Sequence, residues 1–191
     1  MDKWLIMVTG GSRGFGRSVA EELVRAAAAR CAVHVLLLAR SEAGMRQTAA
    51  ALDSIGKVVA GHPVAVQEEA VDLGDLSSLE ERLEGIMRGI DCAAYSRAIL
   101  VNNAGSLGDV CPVNGTSSLA SVQRAVDLNV TAAQWVTSRF SRAFGAVVAT
   151  ARGSGGSWPR SKAWRASYAS STTPPARWTR TCSASSAAAT A

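Results

Sequence analysis

Apolar residues occur in short runs separated by amphipathic stretches. Leu5-Ile6-Met7-Val8, Val33–Ala39 and Ile99-Leu100-Val101 are runs of the length and character of strands buried on both faces. Val64-Ala65-Val66 begins a further strand that ends near Val71-Asp72-Leu73. Between them, 17–29 has helical composition, and 42–56 places Met45, Ala49, Leu52 and Ile55 at helical spacing. Leu79, Leu83, Ile86 and Met87 mark a third helix, for which Ser77 or Ser78 is the candidate cap. A loop with Gly108, Pro112, Asn114 and Gly115 precedes a long helix from about 119 to 140. Strands alternating with helices predict an α/β fold: a Rossmann-type, doubly wound parallel sheet with right-handed crossovers. Ligands of such sheets bind at the carboxyl ends of the strands.

The turn after the first strand is Thr9-Gly10-Gly11-Ser12-Arg13-Gly14-Phe15-Gly16, and it opens directly into the first helix. Glycine lets the backbone approach a ligand closely, and the helix start offers unpaired N–H groups and a positive dipole end to a phosphate. Strand, glycine turn and helix in this order predict a dinucleotide site, whereas without a ligand the run is only a tight turn. After the second strand, an NAD-binding fold usually carries Asp or Glu for the ribose 2′-hydroxyl. Here Ala39-Arg40 stands there, with Arg13 in the glycine turn nearby. Two guanidinium groups suit a 2′-phosphate and favour NADP(H), though arginines at strand and turn ends can also simply be solvated. Asp72 can accept a hydrogen bond from an adenine amino group, cap a helix, or face water. Asn102-Asn103-Ala104-Gly105 sets amide and small side chains where the fourth strand stops. Asn129, inside an apolar helix, needs a partner or a role.

Charge divides the chain. Its net charge is +5, with 20 Lys and Arg residues and 15 Asp and Glu residues. Residues 141–191 hold seven of the basic residues and no acidic one, so 1–140 is slightly acidic. This predicts a nucleotide-binding region at 1–140 and a basic Ser/Ala/Arg-rich tail at 141–191 with no core of its own. A basic tail with Trp158, Trp164 and Trp178 would also suit nucleic acid, a reading ranked below the dinucleotide site. Cys31, Cys92, Cys111 and Cys182 show no zinc or C-x-x-C spacing, so no metal is expected and reduced thiols fit. No signal segment or membrane-length apolar run is read, and the expected location is cytoplasmic.

Thr9-Gly10-x-x-x-Gly14-x-Gly16, Asp72, Asn102-Asn103-Ala104-Gly105 and Asn129 together resemble the short-chain dehydrogenase/reductase family in order and spacing. The stretches 100–110 and 127–131 are similar to a narrower branch that reduces carbonyls on a pterin side chain with NADPH, closing tetrahydrobiopterin synthesis. The resemblance covers about residues 1–140. It implies an NADP(H) site lined by Gly10, Ser12, Arg13, Gly14, Phe15, Gly16, Arg40, Asp72, Leu73, Asn102, Ala104 and Gly105. It gives Asn129 a supporting role, holding a water that links the family's catalytic lysine to solvent. It also implies a pterin or small dicarbonyl substrate and a homodimer paired through the 119–140 helix and a later one.

The resemblance stops at the chemistry. The family uses a tyrosine as general acid with a lysine four residues later, on one helix face. The two tyrosines here, Tyr95 and Tyr168, are followed at that spacing by Ile99 and Thr172. Codons can be chosen for 172–182 that, read one base earlier, encode N-Y-A-P-G-P-L-D-T-D-M. That peptide resembles the Pro-Gly segment after the family's sixth strand. Residues 168–171 are compatible with V-R-V-L in the same frame. The expectation is a reading frame lost between about 140 and 156, a sheet incomplete on its C-terminal side, and a disordered tail. Loss of the later helix weighs against dimerisation.

Overall fold

The computed structural model describes residues 2–59, 61–115, 118–144 and 148–152, the last stretch as backbone only. The expectations for Tyr168 and for the tail from 153 onward lie outside the described residues.

Five parallel strands form one sheet in the order β3-β2-β1-β4-β5. They are β1 (Lys3–Thr9), β2 (Ala32–Ala39), β3 (Val64–Ala70), β4 (Arg97–Asn102) and β5 (Val148–Arg152). The helices between them are α1 (Gly14–Ala28), α2 (Glu42–Val59) and α3 (Leu76–Arg88). Before β5 come α4 (Leu119–Val126), a π-helical segment (Asp127–Ala132) and α5 (Ala133–Phe144). Strand order reverses at β1, which pairs with β2 on one side and β4 on the other.

Alternation along the strands builds two cores, because successive side chains leave opposite faces of a sheet. Ile6, Val8, Val33, Val35, Leu37, Ile99 and Val101 pack with Ala20, Val24 and Ala27 of α1 and with Met45 and Leu52 of α2. Leu5, Met7, Leu36, Leu38, Ala98 and Leu100 pack with Leu79 and Leu83 of α3 and with Val136, Phe140 and Phe144 of α5. Both layers are buried, which is why β1, β2 and β4 read as continuous apolar runs. β3 is an edge strand, and its Gln67, Glu68 and Glu69 suit an exposed edge.

Three boundaries differ from the sequence expectation. α3 is capped by Asp75, whose side chain accepts the Ser77 backbone N–H and both the Ser77 and Ser78 hydroxyls. Ser77 and Ser78 thus donate to the cap and are not themselves the capping residue. The helix expected at 119–140 is interrupted by the π segment and continues to Phe144. A limit at 140 therefore falls inside a helix, because Val136, Phe140 and Phe144 keep one buried face across the change in charge. β5 then adds a fifth parallel strand beside β4, and the compact unit runs Met1–Gly153.

Candidate functional site

The carboxyl ends of β1, β2 and β4 converge on a cleft of about 780 Å³. Its floor is the glycine turn. Gly10 and Gly14 have φ of +68° and +56°, the left-handed region where glycine carries no steric penalty. A Cβ on Gly16 would lie 2.4 Å from the Gly10 carbonyl oxygen, so β1 and α1 meet closely only because no side chain is present. At the start of α1, Arg13 is extended and its side chain caps nothing. The first N–H groups of a fifteen-residue helix are thereby left open toward the cleft, with the positive end of its dipole.

A hydrogen-bonded joint ties this turn to the end of β4. Thr9 Oγ1 accepts the backbone N–H groups of Asn103 at 3.0 Å and Ala104 at 3.1 Å. In return, Asn103 Nδ2 donates to the Thr9 and Gly10 carbonyl oxygens at 3.1 and 3.2 Å. Asn129, in the π segment, holds the loop after β4 with two bonds: Nδ2 donates to the Ser106 oxygen at 2.7 Å, and Oδ1 accepts the Ser106 N–H at 3.0 Å. Gly105 lies against it, where a Cβ would come within 2.9 Å of Asn129 Oδ1.

Of the residues named from sequence, Gly10, Ser12, Arg13, Gly14, Arg40, Asp72, Leu73, Ala104 and Gly105 line this one cleft. Four do not. Phe15 is 64% exposed on the first turn of α1. Gly16 is buried beneath the turn and supports it. Asn102 points to the opposite face, donating to Thr137 Oγ1 at 2.7 Å and reaching the Ala133 oxygen at 3.4 Å. Asn129 spends its side chain on Ser106. Asp72 Oδ1 accepts the Gly74 N–H at 3.0 Å in a local turn, and the capping role considered for it falls to Asp75. Ser41, Gly44, Gln47 and Leu128 also line the cleft and were not singled out by sequence. Two of them carried a signal: Ser41 as a capping residue type just before α2, and Gly44 as a poor helix former in its first turn.

Tyr95 lies at the other end of the sheet, just before β4, with its hydroxyl 2.6 Å from His34 Nδ1. Burial, then Cys92 and Asp91 beside it, pushes its phenol above the ordinary value. A proton-donating tyrosine needs the opposite shift. His34 is pushed the other way, below its ordinary value, by burial and by Lys3. Among the described residues there is no cluster of three metal-ligating side chains, and no helix is long and apolar enough to cross a membrane.

The glycine cradle, the open helix start and two arginines on one cleft fit a dinucleotide phosphate group. In comparison with known proteins, the sequence pattern of the short chain dehydrogenase family matches residues 4–183. The chain belongs to the short chain dehydrogenase family. The chain is 33% identical over 139 residues to sepiapterin reductase of Meriones unguiculatus, covering 72% of the chain and 50% of that relative. It is 28% identical over 142 residues to the benzil reductase ((S)-benzoin forming) of Bacillus subtilis (strain 168), covering 73% and 49%. Among solved structures, a short chain dehydrogenase from Escherichia coli CFT073 complexed with NADPH superposes with a TM-score of 0.55 at 29% identity, covering 73% and 52%. The chain therefore spans about half the length of the curated relatives it matches.

Proposed function

We propose that this dehydrogenase binds NADPH in the cleft and derives from a sepiapterin reductase-type carbonyl reductase. One observation carries the cofactor choice: Arg13 and Arg40 line the same cleft as the glycine turn, and no acidic residue stands at the end of β2. A 2′-phosphate is a dianion that two guanidinium groups can hold with charge-assisted bonds. A ribose 2′-hydroxyl would leave them unpaired. Bound NADPH would supply the hydride for reduction of a carbonyl, with a pterin side chain or small dicarbonyl as the substrate class that the relatives' names suggest. The chain's own part is to seat the pyrophosphate on the start of α1, the adenine side beside Asp72 and Leu73, and the 2′-phosphate between the arginines.

Titration of the full chain with NADPH and NADH tests this reading. Tighter binding of NADPH is expected, and Arg40→Glu should weaken it by about tenfold or more while leaving NADH little changed. Equal affinities, or no effect of the substitution, overturn the cofactor assignment.

A second reading has its own support. Neither tyrosine is followed by lysine at the family's spacing, and Tyr95 stands at the end of the sheet away from the cleft. The chain as written is then a nucleotide-binding protein without turnover, formed when the frame was lost ahead of the catalytic serine, tyrosine and lysine. Such a non-catalytic isoform would act by binding NADP(H) or by associating with a partner, although the second helix of the family's interface would be lost with the catalytic residues. This reading predicts NADPH binding with no NADPH oxidation on sepiapterin, diacetyl or benzil. Oxidation at a rate that follows protein concentration would overturn it.

A further inference from the structure

Two of the segments that line the cleft are distant in sequence: the glycine turn, which carries Arg13, and the start of α2, which follows Arg40. The Gly10 N–H donates to the Leu38 oxygen at 2.7 Å and ties the turn to the end of β2, and a buried side chain of α2 adds a second bond. Thr48, on α2, is 0% exposed, and its hydroxyl donates to the Gly11 carbonyl oxygen at 2.9 Å. The Gly44 oxygen of its own helix lies farther, at 3.2 Å. A hydroxyl has one proton to give. The bond back to the preceding turn is one that any helical threonine makes, but the shorter bond here crosses to another element. Beside it the two backbones touch: a Cβ on Gly44 would lie 2.9 Å from the Ser12 oxygen and 3.0 Å from Ser12 Cβ. Ser41 Oγ accepts the Gly44 N–H at 3.1 Å and fixes the first turn of the helix.

We propose that Thr48 is a positioning residue for recognition of the nucleotide 2′-phosphate. By holding α2 against the glycine turn, it sets the separation of Arg13 and Arg40, so that both guanidinium groups meet one dianion. The inference rests on the NADPH reading and adds a consequence for selectivity. NADH presents no 2′-phosphate, so loosening the joint costs NADPH more than NADH.

Thr48→Val keeps nearly the same shape and removes the hydroxyl. In the full chain it is expected to lower the preference for NADPH over NADH by about tenfold, with the circular dichroism spectrum retained. Amide hydrogen exchange across residues 10–16, measured without nucleotide, should accelerate. Thr48→Ser should restore both. Gly44→Ala, which wedges the same joint with the hydroxyl in place, should shift the preference in the same direction. It also serves as the deciding variant if Thr48→Val does not fold. An unchanged preference overturns the proposal, as does equal weakening of both nucleotides, which is what general destabilisation produces. A wild-type chain that binds no NADPH overturns the cofactor reading instead. The exchange measurement then judges Thr48 alone, and an unaltered turn in Thr48→Val rejects it.

Discussion

Gly14 and Gly16 are both glycine for different physical reasons, and substitution separates them. At Gly14 a Cβ would meet nothing within 4 Å, but φ of +56° is costly for any other residue. At Gly16 a Cβ would strike a backbone carbonyl oxygen at 2.4 Å, so β1 and α1 would have to separate. Gly16→Ala should therefore destabilise the fold by about 1–3 kcal/mol, as overpacking does. Thermal unfolding of the unliganded protein measures this, and an unchanged midpoint would contradict the close approach. These demands are local, which is why the glycine turn was legible in the sequence. Asn102 and Asn103 show where legibility ends. They are adjacent, so strand alternation sends one to α5 and the other to the glycine turn. A motif names both but does not say which faces the cleft. Thr48 gave no signal, because its partner Gly11 is 37 positions away and only packing of α2 on the turn joins them.

Elements were legible in proportion to how completely they are buried. β1, β2 and β4 carry continuous apolar runs and were placed within a few residues. Edge strand β3, with three polar side chains in its second half, was read from its apolar ends, Val64–Val66 and the stretch near Val71 just past its last residue. Helix ends were harder, since a cap is a single side-chain choice among several polar neighbours. Asp75, Ser77 and Ser78 all qualify by residue type, and geometry selects the carboxylate because it alone can accept three bonds at once. Those bonds, first from Ser77 and then Ser78, hold the Asp75 carboxyl below its ordinary value of 3.8. A depressed folded pKa means that the unfolded chain binds the proton more readily. The carboxylate's stabilisation is therefore present above pH 3.8 and lost as pH falls through the lower folded value. Asp75→Ala should lower the unfolding midpoint at pH 7. Asp75→Asn, still an acceptor, should keep more of it and remove this part of the acid dependence. Equal midpoints for the wild type and Asp75→Ala would show that the cap is idle. The π segment was not foreseen, because nothing in the apolar spacing of 119–140 marks it. It contains Asn129, which is bonded to the Ser106 backbone across the cleft wall, and π segments tend to occur where a helix accommodates such a site.

At the scale of the molecule, composition and packing draw different boundaries. Charge changes at about 140, yet the buried face of α5 runs to Phe144 and β5 pairs with β4 as far as Arg152. The half that the sequence shares with its relatives accounts for the cleft and its two cores. A nucleotide cradle stands beside an acid-free tail, although the family pattern runs on to residue 183. We propose a loss of frame as the source of the tail's composition, since an out-of-frame stretch retains neither the apolar period nor the charge balance of its parent. Nucleotide sequencing of genomic DNA and transcript across codons 135–185 decides it. The expected result is a corrected frame that encodes a serine, a Tyr-x-x-x-Lys pair and N-Y-A-P-G-P-L-D-T-D-M, with the written tail absent. The written frame found in both genome and transcript, with no Tyr-x-x-x-Lys in either neighbouring frame, would overturn the lost-frame account. Nucleotide binding would then be the activity for which this chain has to be explained.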